Sequence, residues 1–116
     1  MTLEELRSRI DVLDRQLVDL LNERASAAQM VGQLKAATSL PVYEPNREKI
    51  VYENIRAANK GPLPDIELTH IYERIIDVMR ALQRHELASE RNAQAARSAG
   101  ESGHAAGAEP PETGKT

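Results

Sequence analysis

The chain has 116 residues, with three Tyr but no Phe, Trp or Cys, and a formal net charge of −3. That excludes disulfides and thiolate metal sites, and leaves no charge excess of the kind that holds nucleic acid or an anionic membrane. With 41% hydrophobic residues and 3% aromatics, the core must be built from Leu, Ile, Val and Ala, which suits helix packed on helix better than a sheet sandwich.

The opening MTLEELRSRID carries acids and lacks the apolar stretch of a signal peptide. No apolar run approaches a membrane span. The expectation is a soluble cytoplasmic all-α protein with no membrane and no nucleic-acid partner.

The first element is a long helix. Leu3, Leu6, Ile10, Leu13, Leu17, Leu20, Ala27, Val31 and Leu34 follow an a/d heptad spacing, with no proline before Pro41. The pattern predicts one helix over residues 3–37, roughly 50 Å long. A compact globule of this size has a radius of gyration near ~12 Å, so the helix must protrude with its seam uncovered. A second copy of the chain is the simplest cover, and a homodimer through this helix is expected.

TSLPVYEPNRE interrupts the pattern. Pro41 and Pro45 forbid a continuous helix, while Pro45 fits the first turn of a new one with Glu44 at or near its N-cap. Ile50, Val51 and Ile55 are its expected buried side. NKGPLPD ends it, with Gly61 suited to a left-handed C-cap position and Pro62 and Pro64 blocking resumption. Asp65 is the expected N-cap of a third helix. Its stripe of Leu68, Ile71, Tyr72, Ile75, Val78, Met79 and Leu82 runs to about residue 87. Residues 1–88 thus form the helical domain. Residues 89–116, rich in Ala, Gly, Ser, Glu and Pro, are expected to be disordered apart from a fraying continuation of that helix. The closing GKT lacks the glycine, strand and helix of a phosphate loop.

Several polar residues stand out against this frame. Arg24 falls on an a position of the seam, where a buried guanidinium is costly unless paired. It either snorkels, pairs with an acid across an interface, or awaits a ligand. Lys35, eleven residues on, returns to within about 20° of the same face and ~16 Å along the axis. The pair is spaced to hold one small dianion. Gly32 between them admits either a ligand close to the backbone or a tightly packed helix.

Arg7 lies ~25 Å from Arg24 along the helix, so within one chain the two cannot share a small ligand. In an antiparallel dimer Arg7 can complete the partner's site; alone, it reads as a surface residue paired with Asp11. Glu44, Arg47 and Glu48 open the second helix, where unpaired N–H groups attract anions or hydroxyls, although acids there are also ordinary dipole chemistry. Gln83 sits one turn after Met79. His70, His85 and His104 have no ligand spacing, and no nucleophile–base pair stands out. Fixed cations with hydrogen-bonding groups suit a reaction that needs conformational restraint and charge stabilisation.

Together LRSRIDVLDRQLVDLLNERASAAQMVGQLKA, PVYEPNREKIVYENI and IYERIIDVMRALQ resemble the all-helical chorismate mutases over about residues 3–87. Four motifs occur in order: R-x-x-I-D-x-L-D, L-L-x-E-R, V-G-x-x-K and P-V-Y-E-P-x-R-E. The resemblance implies an intertwined homodimer of three-helix subunits, each with a long first and a short second helix, and each site borrowing an arginine from the other chain.

It implies that Arg24 and the partner's Arg7 hold the two carboxylates of chorismate. Lys35 would reach the enolpyruvyl ether oxygen and a carboxylate, and Gln83 the same ether oxygen. Glu48 would hold the ring hydroxyl, with Glu44 and Arg47 lining that end. Glu44 stands where aspartate is more frequent, and Met79 where many members carry a small polar residue. The implied reaction is the [3,3] rearrangement of chorismate to prephenate, with no metal or cofactor. Competing readings are an isochorismate-pyruvate lyase of the same fold, a non-catalytic sensor or docking module for an aromatic-pathway enzyme, and a plain helical dimerisation protein.

Overall fold

The computed structural model describes residues 1–101; the remainder of the expected disordered segment, His104 and the GKT sequence lie outside the described residues. The order is α1 (Leu3–Thr38), α2 (Pro45–Ala58) and α3 (Asp65–Glu101). No helix among the described residues is long and apolar enough to cross a membrane.

Helix α1 begins where Thr2 caps it, its hydroxyl oxygen accepting from the Glu5 N–H at 3.1 Å. It ends at Ser39, in the left-handed region at φ 60°. Pro45 sits at the start of α2, as expected, with Glu44 as N-cap residue. The Glu44 side chain makes no capping bond, because its carboxylate is drawn to Lys35.

The second turn region is closed by a side chain that the sequence reading passed over. Asn59 is the C-cap of α2 and donates through Nδ2 to the Leu63 carbonyl at 2.9 Å and to the Asp65 carboxylate at 2.6 Å. Gly61 does adopt a positive φ, 73°, but within the loop beyond the cap. Asp65 is the first residue of α3 rather than its cap.

Helix α3 continues past the expected end near Leu87 to Glu101. The physical reason lies in backbone propensity. Residues 88–99 are rich in Ala, Glu, Arg and Gln and contain no Pro or Gly, so a helix propagates from a packed one without an apolar stripe. All of residues 88–99 are exposed.

Helix α3 is the spine, packing against both α1 and α2, while α1 and α2 make no close approach to each other. Gly32 explains how near α1 comes: a Cβ there would meet the Gln83 Cα at 3.1 Å, the Glu86 Cβ at 3.1 Å and the Gln83 carbonyl oxygen at 3.2 Å. Of the two readings of this glycine, close helix packing is the one realised. Gln33 adds a bond to Glu86 at 3.3 Å.

Among the described residues the buried apolar side chains are Ala28, Ile76 and Met79. Ile76, outside the expected stripe, faces inward, while Ile71 and Val78 are exposed. Residues Ile75, Val78 and Leu82 line a separate groove of about 490 Å³ with Leu21 and Ala25. Helix α3 therefore carries two apolar faces rather than one. Helix α2 buries no residue, and Ile50 is exposed.

The result is a thin plate, 69 × 35 × 16 Å with a radius of gyration of 19.8 Å, against ~13 Å for a compact domain of about 100 residues. Residues 1–20 are exposed throughout, including the seam positions Leu3, Leu6, Ile10, Leu13, Leu17 and Leu20.

Candidate active site

Between α1 and α3, with the start of α2 as a third wall, lies a cavity of about 430 Å³, within the ~300–1,000 Å³ range of small-molecule sites. Helix α1 supplies Arg24, Ala28, Val31 and Lys35; the loop and α2 supply Val42, Glu44, Arg47, Glu48 and Val51; α3 supplies Ile76, Met79, Arg80 and Gln83. The lining therefore combines charged side chains with an apolar surface.

Lys35 is the most constrained member, with a side chain only 6% exposed. Its ammonium donates to the Gln83 Oε1 at 2.9 Å and the Val42 carbonyl at 3.1 Å, and lies 2.6 Å from the Glu44 Oε1. Three acceptors match the three donors of an ammonium, which is what allows it to stay buried. The same contact orients Gln83. An ammonium can only donate, so the amide oxygen must face Lys35, leaving the amide NH₂ as a free donor.

A second ion pair ties α2 to α3. Arg80 Nη2 lies 2.6 Å from the Glu48 Oε2, and Nη1 lies 3.5 Å from Asp77. The Arg80 guanidinium also sits over the Tyr43 ring, 5.1 Å from its centroid. The hydrogen bond to Glu48 holds its pKa above the ordinary value, against the opposing effect of burial. Behind this pair, burial pushes the Tyr52 phenol up, and Glu73, Glu48 and Asp77 push it further.

Both cavity carboxylates are thus committed to cations. Arg24 and Arg47 carry no hydrogen bond or ion pair among the described residues, although both line the cavity. The excess charge is positive and set in a partly apolar pocket, an arrangement that attracts a small dianion. Arg24 pairs with no acid among the described residues of its own chain.

Seven of the eight residues singled out in the sequence line this one cavity: Arg24, Lys35, Glu44, Arg47, Glu48, Met79 and Gln83. Met79 is 6% exposed and packs in the core. Arg7 is not among them; it lies on the exposed first half of α1. Arg80 and Tyr43 were passed over, since an arginine beside a stripe residue reads as surface until α2 is folded against it.

Residues 6–84 match the model of the family described as chorismate mutase type II. The chain belongs to that family. It is 33% identical over 91 residues to the chorismate mutase of Methanocaldococcus jannaschii, covering 78% of this chain and 92% of that protein. It is 40% identical over 86 residues to the bifunctional chorismate mutase/prephenate dehydratase of Aquifex aeolicus, covering 71% of this chain and 24% of that protein. The chain thus spans about a quarter of the length of such bifunctional relatives. Among solved structures, the chorismate mutase of Helicobacter pylori in complex with prephenate superposes with a TM-score of 0.68 at 31% identity, covering 74% of this chain and 93% of that one. A chorismate mutase from Thermus thermophilus also gives a TM-score of 0.68 at 31% identity, covering 70% and 92%.

Proposed function

We propose that this chain is a chorismate mutase, rearranging chorismate to prephenate in a site completed by a second copy of itself. The observation that carries the reading is the buried Lys35 bonded to Gln83 in a cavity that also holds two uncommitted arginines. Chorismate is a dianion, and its rearrangement needs no nucleophile. The substrate must be held as a chair-like conformer, and negative charge grows on the ether oxygen as the C–O bond breaks. Clamping the carboxylates lowers the entropy cost of reaching that conformer.

In this reading Arg24 binds one carboxylate, and Arg47 lies at the far end of the pocket with Glu44. Lys35 already has three acceptors in the free site. Glu44, at 46% side-chain exposure, is the one that water can most easily solvate, so it is the partner that yields when substrate arrives. The ammonium and the Gln83 NH₂ then converge on the ether oxygen. Both interactions strengthen as charge develops there, which is the condition for raising the rate rather than only the affinity. Glu48 receives the ring hydroxyl, and Met79 forms part of the apolar floor.

The exposed seam supports the homodimer. The six seam residues Leu3, Leu6, Ile10, Leu13, Leu17 and Leu20 stand on the surface at 42–64% exposure, while the buried apolar core among the described residues is three residues. A second α1 laid antiparallel along this seam covers it and brings the partner's Arg7 toward the cavity, where it would hold the other carboxylate.

The test is loss of chorismate ultraviolet absorbance with purified protein and identification of the product, beside Arg24→Ala. Turnover to prephenate that disappears in the variant is the expected result. A folded dimer that leaves chorismate intact would refute the reading, and salicylate plus pyruvate from isochorismate would replace it with the lyase.

A further inference from the structure

Arg80 is the cavity residue whose surroundings are least explained by packing. It joins three parts of the chain at one point: Tyr43 from the α1–α2 loop at 5.1 Å, Glu48 from α2 at 2.6 Å, and Asp77 from its own helix at 3.5 Å. Its Nε is buried and has no hydrogen-bond partner. A side chain kept for stability alone would not leave a donor desolvated, and an apolar residue of similar length would fill the space without that cost.

The consequence for Glu48 is geometric. The body of α2 packs on α3 and not on α1, and its N-cap Glu44 is tied to Lys35 of α1; the position of Glu48, one turn further into α2, is set chiefly by the α2–α3 contact. The guanidinium takes Oε2, and with both side chains only about one-fifth exposed (20% and 22%), the carboxylate has little freedom to swing toward solvent. The bond to Nη2 leaves Oε1 as the acceptor without a protein partner. The guanidinium lies over the Tyr43 ring, and its other amino group faces Asp77 at 3.5 Å.

We propose that Arg80 is a positioning residue that acts through Glu48, fixing which carboxylate oxygen faces the substrate and so enforcing recognition of the ring hydroxyl. This rests on the mutase reading above. A lysine in its place can keep the charge but cannot span Glu48 and Asp77 with a planar fork.

The test compares Arg80→Met, Arg80→Lys and Glu48→Gln on two substrates: chorismate and the analogue in which the ring hydroxyl is replaced by hydrogen. Circular dichroism and unfolding midpoints establish that each variant folds. With chorismate, Arg80→Met should lower kcat/KM by about 10–100-fold, the scale of a misplaced contact, with Arg80→Lys intermediate. With the deoxy analogue the same variants should stay within about twofold of wild type, because no hydroxyl is there to be received. Adding Arg80→Met to Glu48→Gln should cost less than about threefold more, as expected of two residues acting as one unit.

Equal losses on both substrates, or additive losses in the double variant, would overturn the proposal and leave Arg80 a structural tie. An Arg80→Met variant as fast as wild type on chorismate would also overturn it. Wild-type turnover of chorismate reports on the mutase reading by itself: its absence would overturn both readings, whereas its presence with equal losses would overturn this one alone.

Discussion

Replacing Lys35 by methionine removes the ammonium while keeping an unbranched chain of similar length. In the free site the ammonium serves Gln83, Val42 and Glu44, and in the proposed mechanism one of its donors turns to the ether oxygen in the transition state. Loss of one such donor typically costs about 3–4 kcal/mol, or ~10²–10³ in kcat. The effect on kcat/KM should be at least as large, because the same cation also binds the ground-state dianion.

Stability responds differently. The half-exposed Glu44 is rehydrated, the Val42 carbonyl and the Gln83 oxygen each lose a bond worth about 1 kcal/mol, and the desolvation cost of a buried cation is removed. The net change should stay within about 2 kcal/mol. Chorismate absorbance gives the rate, and urea unfolding gives the stability at a fixed protein concentration, since the proposed dimer would make stability depend on concentration. A Lys35→Met enzyme that keeps more than about a tenth of wild-type kcat would refute the charge-stabilisation argument. So would a rate loss that merely tracks a fall in the folded fraction.

Gly32→Ala should gain helix propensity worth about 1 kcal/mol but press a methyl against the Gln83 backbone. We expect kcat to fall by about tenfold through displacement of Gln83, with the unfolding midpoint nearly unchanged; kinetics of the variant against its melting curve decides this. Leu17→Glu places a charge in the centre of the exposed seam and should split the proposed dimer, making activity rise with protein concentration; analytical ultracentrifugation reports the shift. Truncation after residue 87 removes only exposed helix and the segment beyond it, and turnover should stay within about twofold of the full chain.

The parts of this structure legible in the sequence are those with local causes. Helix α1 follows from a sustained apolar period without proline, and α2 from Pro45 at its first turn. Arg24 and Lys35 stand out because a cation on an apolar seam conflicts with the pattern around it. Glu44, Arg47 and Glu48 are found at a helix start, where the backbone itself attracts polar groups.

The parts missed depend on tertiary placement or on propensity without periodicity. Arg80 acquires its role only when Tyr43 and Glu48 arrive from residues more than thirty positions away. Ile76 was passed over because α3 serves two apolar faces, which blurs a single stripe. A fraying continuation of α3 was expected, but its extent to Glu101 carries no apolar signal, only residues that favour helix. Gly32 was ambiguous in the sequence, since close packing and close ligand approach both call for a missing Cβ; the distances to Gln83 and Glu86 separate them.

The central claim is that each site joins Arg24 of one chain to Arg7 of another, and mixing two inactive variants tests it most directly. Arg7→Ala and Arg24→Ala, each expected to be inactive alone, are unfolded together in equal amounts and refolded. Random pairing makes half of the dimers mixed, and each mixed dimer contains one intact site and one lacking both arginines. The account predicts recovery of about a quarter of wild-type chorismate turnover. No recovery, with mixed dimers shown to be present, would contradict it, as would an Arg7→Ala protein that is fully active alone.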